Sequence, residues 1–162
     1  TTLFRSIPEV ALQQALAKAD KDTKLMLLLG AYAGLRRAEI AGIHSDDITD
    51  MGLIVKGKGR KVRRIPIHPI LAEALVDVSG YAFRGRWGKS VTPNYVADHL
   101  EAVLPDPWTA HSLRHRFATQ TYRACKDIRV VQQLLGHSSI QTTVRYVMVD
   151  EDALAAAVNA VA

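Results

Sequence analysis

Residues 134–147 read LLGHSSIQTTVRYV, and this stretch decides how the rest of the chain is interpreted. A glycine that can end one helix stands directly before His137, and a following serine can cap the next helix, predicted over residues 140–146. Tyr146 lies nine positions after His137. Taken alone, it is either a half-buried aromatic residue of an ordinary helix or a nucleophile. The remaining sequence has to distinguish the two.

The composition suits one compact domain. The chain has 162 residues, of which 48% are hydrophobic, enough to form a real core. We therefore predict a single domain over residues 1–162. The one cysteine, Cys125, excludes an internal disulfide and fits a reducing compartment. The longest apolar run, residues 25–34, is too short to span a bilayer, and no signal peptide precedes it. We expect a cytoplasmic protein without a membrane segment.

Helical periodicity dominates the chain, and three short strands interrupt it. The stretches DDIT, GLIVKGK and KVRRIPI read as strands, and Pro66 in the last one indicates a sheet edge. Ser6, with Glu9 three residues later, has the pattern of a capping box for the first helix. Spacing and end signals predict further helices over residues 24–32, 36–43, 70–78, 93–104, 111–124, 127–135 and 151–162. The predicted fold class is mainly α with a small three-stranded antiparallel β-sheet.

The positive charge is concentrated in one segment. The chain carries 21 Lys and Arg against 16 Asp and Glu, a net charge of +5. Residues 56–64, KGKGRKVRR, hold six basic residues and no acid, so the rest has 15 basic against 16 acidic residues. Such a patch is typical of a surface that binds a polyanion, most often nucleic acid, although a merely solvated hairpin would look the same. The candidate DNA-binding residues are Lys56, Arg60, Lys61, Arg63 and Arg64.

Four separate places carry side chains suited to phosphate chemistry. In GLRRAEI, an arginine follows a glycine turn at the start of a helix, where free backbone N–H groups favour an anion. The second is the lysine of GKG. The third is HSLRHRFAT, where spacing puts His111 and Arg114 on one helical face but does not choose between His111 and His115. The fourth is the opening stretch. The candidate set is Arg36, Lys58, either His111 or His115, Arg114, His137 and Tyr146.

Each of these residues has an ordinary structural explanation, but the set has one chemistry in common. Cationic and imidazole groups around a phosphate would stabilise a pentacoordinate transition state. A tyrosine hydroxyl becomes a nucleophile when such a site favours its deprotonated form, and a lysine can protonate the leaving oxygen. This chemistry needs no metal and no cofactor.

Other chemistries fit the sequence less well. Neither a phosphate-binding G-x-x-x-x-G-K-[ST] loop nor a G-x-G-x-x-G fingerprint occurs, which argues against a nucleotide cofactor. The two histidines of HSLRH have zinc-protease spacing but no glutamate between them. A two-metal nuclease site built from Glu39, Asp46, Asp47 and Asp50 is a minority alternative, since HSDDITD also reads as a polar turn.

The chain contains four motifs in this order: AGLRRAEI, VKGKGRKVRRIPI, HSLRHRFAT and LLGHSSIQTTVRY. Their order and wording resemble the catalytic domain of tyrosine recombinases, the phage integrase and Xer-like family. The resemblance covers residues 7–152. It implies that Tyr146 attacks DNA to form a 3′-phosphotyrosyl link, that Lys58 is the general acid, and that no ATP or metal is needed. It also implies His111 rather than His115 in the site, and Glu39 as a support near the first arginine. The remaining catalytic positions match Arg36, Arg114 and His137.

The resemblance further implies partners and assembly. We expect double-stranded DNA attachment or core sites as substrate, integration or excision as outcome, and accessory DNA-bending proteins. We expect a tetramer on DNA, a monomer as the isolated domain, and a location in a prokaryotic cytoplasm on the nucleoid. The N-terminal core-binding and arm-binding domains of the family have no counterpart in this chain, and residues 151–162 would either dock on a neighbouring protomer or fold back. The alternatives are a type IB topoisomerase-like enzyme and a catalytically silent DNA-binding module.

Overall fold

The computed structural model describes residues 5–137 and 151–161. The predicted helix over residues 140–146, with Tyr146, lies outside the described residues. The described helices are α1 (Glu9–Lys18), α2 (Lys21–Ala33), α3 (Arg37–Ala41), α4 (Pro69–Leu75), α5 (Pro93–Val103), α6 (Ala110–Cys125), α7 (Ile128–Leu135) and α8 (Glu151–Asn159). The strands are β1 (Ile48–Thr49), β2 (Gly52–Lys56) and β3 (Val62–Ile65).

Helix α2 forms the centre of the core, because it is apolar nearly all round and buried along most of its length. At Gly30 it approaches α6 so closely that an added Cβ would lie 3.0 Å from the Cβ of Leu113. The Asp20 carboxylate accepts a hydrogen bond from the backbone N–H of Thr23 at the start of α2. At the other end, Gly34 adopts φ +65° and stops the helix, as the sequence predicted.

The first helix begins differently from the prediction. Pro8, not Ser6, occupies the N-cap of α1, and no side chain caps the helix. The Ser6 hydroxyl lies 2.9 Å from His115 Nδ1 and donates to Thr119 Oγ1. The Glu9 carboxylate accepts from Arg116. The capping-box prediction was therefore wrong, because both side chains are used to attach the N-terminal segment to α6.

The sheet is antiparallel with strand order β1-β2-β3. Strand β3 lies at an edge, as Pro66 just beyond it indicated. Strands β2 and β3 pair from Leu53↔Ile65 to Lys56↔Val62. This register closes a tight hairpin whose tip, Lys58–Arg60, projects beyond the sheet. The predicted fold class is confirmed.

The final predicted helix is present as α8, and its described side chains from residue 155 onward are exposed. None of the helices within residues 5–137 and 151–161 has the length and apolarity needed to cross a membrane.

Candidate active site

Arg114 is the buried centre of the site, with 1% of its surface exposed. Its guanidinium donates hydrogen bonds to the carbonyl oxygen of Gly34, at the end of α2, and to that of Leu135, at the end of α7, the latter at 2.8 Å. Helix C-termini carry partial negative charge and attract cations. The two helix-stopping glycines, Gly34 and Gly136, therefore also determine where the carbonyl groups that hold this arginine lie.

His137 follows α7 and contacts Arg114 directly. Its Nε2 lies 3.0 Å from Arg114 Nη2. Because an arginine only donates, Nε2 must be the acceptor, which places the hydrogen of the neutral ring on Nδ1. Burial, followed by the positive charges of Arg114, Arg36 and Arg63, lowers the pKa of His137 to about 4. His137 is thus a neutral imidazole near pH 7.

His111 and His115, which sequence spacing did not separate, lie in different environments. His111 lines a cavity of about 800 Å³ together with Arg36 and Arg114. Burial and the charges of these two arginines lower the pKa of His111. His115 is buried and contacts Ser6 on the side of α6 that faces the N-terminal segment.

Arg36 lies at the N-cap of α3 with its side chain 44% exposed. Its guanidinium contacts Glu39 at 3.2 Å, and its backbone N–H donates to the same carboxylate at 2.8 Å. It lines both the cavity that contains His111 and a second one of about 1210 Å³ that contains Lys58 and His137. Arg36 therefore stands between two halves of one cationic cleft.

Glu39 and Arg63 form a buried, two-pronged ion pair in the wall of this cleft. Arg63 Nη1 and Nη2 lie 2.8 and 2.9 Å from the two carboxylate oxygens of Glu39. The third donor, Arg63 Nε, bonds to the carbonyl oxygen of Leu134 at 2.8 Å. Burial raises the pKa of Glu39, but the bonds from Arg63 and Arg36 outweigh it and the pKa is lowered overall.

Arg63 therefore does not have the position expected of a DNA contact. Its side chain is only 10% exposed, and its guanidinium faces inward because alternate residues of β3 point to opposite faces. The other candidate DNA contacts, Lys56, Arg60, Lys61 and Arg64, are exposed. Lys56 pairs with Asp47 at 3.1 Å, so Asp47 supports the hairpin.

The lysine hairpin reaches the cleft at its tip. Lys58 is exposed and lines the larger cavity. At its base, an added Cβ on Gly57 would lie 3.6 Å from Glu39 Oε1 and 3.7 Å from Arg63 Nη1. The hairpin thus rests directly on the buried ion pair.

The structure brings five of the six predicted catalytic residues to one cleft: Arg36, Lys58, His111, Arg114 and His137. The sixth, Tyr146, lies outside the described residues. Sequence reasoning missed Trp108, which lines the cavity beside His111, and Gln132, whose side chain donates to the carbonyl oxygen of His137. Trp108 lies between the predicted helices 93–104 and 111–124, in a segment that helical periodicity does not cover. One signal in the sequence points to Gln132: it lies close to the end of the predicted helix 127–135, just before Gly136 and His137.

Residues 6–152 match the sequence model of the phage integrase family. The chain belongs to the phage integrase family. Among curated relatives, the tyrosine recombinase XerC of Mesorhizobium japonicum is 37% identical over 144 residues, covering 78% of this chain and 46% of the relative. The XerC of Bradyrhizobium diazoefficiens is 35% identical over 153 residues, covering 83% of this chain and 47% of the relative. The chain thus spans about half the length of the curated relatives it matches.

Solved phage integrase and Xer structures share the fold. The integrase of mycobacterium phage Brujita superimposes with a TM-score of 0.72 at 27% identity, covering 93% of this chain and 63% of that one. A XerA recombinase gives a TM-score of 0.77 at 21% identity, covering 96% and 62%. A XerH recombinase bound to its difH substrate in a pre-cleavage complex gives a TM-score of 0.75 at 22% identity, covering 99% of this chain and 55% of that one. The expected family membership is confirmed.

Proposed function

We propose that this chain is the catalytic domain of a tyrosine recombinase that cuts and rejoins DNA at specific sites. The observation that carries the proposal is the convergence of Arg36, His111, Arg114 and His137 on one cleft, beside the Lys58 hairpin, in a chain of this family. Related recombinases are described in complex with DNA: XerH with its difH substrate and the Tn1549 integrase with transposon right end DNA. We infer double-stranded DNA as the partner of this chain.

The proposed reaction conserves the phosphodiester energy. The Tyr146 hydroxyl gives up its proton to solvent as its oxygen attacks the scissile phosphorus, forming a P–O bond to tyrosine while the bond from phosphorus to the 5′-oxygen breaks. The leaving oxygen takes a proton from Lys58 and becomes a free 5′-hydroxyl. Attack by that hydroxyl, or by one from a partner duplex, reverses the step and releases Tyr146. The step is balanced without ATP or a metal ion.

The remaining residues divide between charge stabilisation and positioning. Arg36 and Arg114 neutralise the non-bridging oxygens, where charge builds up in the transition state. His111 and His137, neutral because their pKa values are lowered, act through hydrogen bonds and not through charge. Glu39 holds Arg36 in place and supports the hairpin. We infer the same supporting role for Arg63, which contacts both Glu39 and the Leu134 carbonyl.

Assembly and location follow from the same proposal. Four protomers would act on paired attachment or core sites, with accessory proteins bending the DNA, in the cytoplasm at the nucleoid. The chain would act as one domain over residues 1–162, alongside DNA-binding domains outside this chain. Helix α8 would dock on a neighbouring protomer, and the 72% exposure of Val158 and 78% of Val161 support an apolar contact there. Lys56, Arg60, Lys61 and Arg64 would contact phosphates.

The decisive experiment is covalent trapping. Nicked duplex carrying the attachment site lets the cut fragment diffuse away, so the protein should remain attached to DNA through denaturing electrophoresis. Tyr146→Phe should abolish the adduct, whereas Tyr95→Phe, a control on the exposed face of α5, should keep it. An adduct that survives Tyr146→Phe refutes the assignment, and loss of cleavage in EDTA refutes the metal-free mechanism.

The role of Lys58 has a separate test. With a 5′-bridging phosphorothiolate, the leaving sulfur needs no proton, so Lys58→Ala should cleave this substrate nearly as fast as the unsubstituted protein while cleaving the oxygen substrate slowly. Equal defects on both substrates would show that Lys58 is not the general acid.

A further inference from the structure

A second hairpin closely repeats the backbone of the lysine hairpin. In the first, the Gly57 N–H donates to the Lys61 carbonyl at 2.7 Å, and in the second the Gly85 N–H donates to the Lys89 carbonyl at 2.7 Å. Both tips have two successive residues with positive φ: Gly59 and Arg60 at 73° and 60°, Trp87 and Gly88 at 61° and 69°. This is the pattern of a type I′ turn. The segments GKGRK and GRWGK thus form the same turn.

Trp87 occupies an unfavourable position in this turn. Its backbone is left-handed (φ 61°, ψ 26°), a conformation that asparagine or glycine adopts easily and a bulky residue does not. Its side chain gains no burial in return, since 94% of its surface is exposed. Strain without compensating packing points to a partner that contacts the side chain.

The second hairpin is a fixed platform, not a loose loop. An antiparallel bridge joins Arg84 to Ser90, and the Arg84 guanidinium donates to the carbonyl oxygen of Ser79 at 2.8 Å. An added Cβ on Gly85 would lie 3.0 Å from the Ser90 carbonyl oxygen, which explains the glycine there. Arg84 therefore braces the base, and the tip presents Arg86, Trp87 and Lys89 to solvent.

The charge of the second hairpin favours a polyanion. Residues 78–97 contain three basic residues and no Asp or Glu. A tryptophan between an arginine and a lysine combines a flat apolar surface with two cations, which suits nucleotides: the cations contact phosphates and the ring packs on a sugar or base.

Both hairpins are attached to the same short segment, residues 43–47. The second hairpin joins it through backbone bonds from Ser45 N–H to Gly80 and from Ala82 N–H to Ile43. The first joins it through the ion pair of Lys56 with Asp47. Both hairpins are therefore anchored to the same short segment of the fold.

We propose that the hairpin of residues 84–90 is a second DNA grip, in which Arg86 and Lys89 contact phosphates and Trp87 packs against the DNA. This inference rests on the proposed function only in that the partner is the same duplex, and it adds a contact surface outside the catalytic cleft. A second copy of this chain is the competing occupant.

The test measures the affinity of the protein, with Tyr146→Phe to prevent cleavage, for a fluorescent mixed-sequence duplex over a range of salt concentrations. Each phosphate contact contributes a slope of about −0.9 in log affinity against log salt, so Arg86→Ala with Lys89→Ala should reduce the slope by about 2. The matched control is Lys18→Ala with Lys24→Ala, which removes two exposed positive charges from helices α1 and α2, away from the hairpin in sequence. This control should leave the slope unchanged. Equal slopes for the two double variants would overturn the proposal.

Trp87→Asn separates binding from folding. Asparagine tolerates the left-handed backbone, so the variant should unfold at a higher temperature than the unsubstituted protein and still bind duplex at least about five-fold more weakly. Unchanged DNA affinity would overturn the DNA grip. If sedimentation also shows a changed oligomeric state, the result favours a second copy of this chain as the occupant. Failure of covalent trapping with duplex binding intact would instead count against the recombinase assignment.

Discussion

Replacing Arg63 by alanine tests whether the buried ion pair with Glu39 holds the site together. The substitution leaves a carboxylate with 4% side-chain exposure whose hydrogen bonds among the described residues come from Arg36, and it removes the donor to the Leu134 carbonyl. Removing one partner of a buried pair typically destabilises a protein by about 3–5 kcal/mol. Because Arg36 still donates two hydrogen bonds to Glu39, we expect the lower end, about 3 kcal/mol.

The assay is denaturant unfolding of Arg63→Ala, Arg63→Lys and Arg64→Ala. Lysine keeps the charge but cannot reproduce the two-pronged geometry, so it should lose about 1–2 kcal/mol. Arg64 is the adjacent, exposed residue of β3, and its removal should change stability by no more than about 0.5 kcal/mol. The denaturant dependence should stay unchanged, which shows that the folded state is intact.

The pH dependence adds a second criterion. In the native protein the pKa of Glu39 is below its ordinary value of 4.5, so its stabilising contribution is present above about pH 4.5 and is lost as pH falls through the lowered value. Without Arg63, the hydrogen bonds and charge that most oppose the effect of burial are gone, so Glu39 should take up its proton at a higher pH than in the native protein. The stability gap between the two proteins should therefore be largest near pH 7 and should narrow below about pH 4.5. A gap no larger than that of Arg64→Ala, or one that is the same at pH 7 and pH 4, would refute the reasoning.

Two further predictions concern His137 and the glycine beside it. Because the folded pKa of His137 is lowered from 6.5 to about 4, its contribution is complete above pH 6.5 and declines as pH falls towards 4, by about 3 kcal/mol in all. His137→Gln keeps an acceptor for Arg114 and should flatten this part of a stability–pH curve, and an unflattened curve would show that another group titrates. Gly136→Ala combines positive φ (70°) with a Cβ only 2.9 Å from Arg63 Cδ and should cost about 2 kcal/mol or more in urea unfolding. Gly59→Ala has positive φ but nothing within 4 Å and should cost only about 1 kcal/mol; equal losses would contradict the close contact with Arg63.

The helices and the sheet could be predicted because their signals are local. Gly34 and Gly136 end their helices through left-handed backbone conformations, and Thr92 followed by a proline begins α5. Such signals depend on neighbouring residues and little on the rest of the fold. The error at Ser6 arose because its hydroxyl had a better partner more than a hundred positions away.

The site was predictable as a set of residues but not as an arrangement. Helical spacing put both His111 and His115 near the face of Arg114. The family resemblance favoured His111, and the packing of α6 against the N-terminal segment gives the physical reason, because it directs His115 towards Ser6. Likewise, alternation along β3 implies that Arg63 and Arg64 point to opposite faces, but which face covers the cleft depends on where α7 lies. Charge counting assigned both arginines to DNA because it treats a basic segment as uniform.

The buried pair also explains why the site can be both cationic and well ordered. Glu39 contributes one negative charge against the two guanidinium groups that it contacts, so Arg36 and Arg63 together keep one net positive charge. Burial lowers the pKa of His137 most, and this excess positive charge adds to the effect because three arginines disfavour its protonation. If the proposed function is right, a phosphate in the cleft would bring the compensating negative charge and would stabilise the folded protein by binding to it. The same carboxylate that removes part of the positive charge also fixes the geometry of the cations that remain.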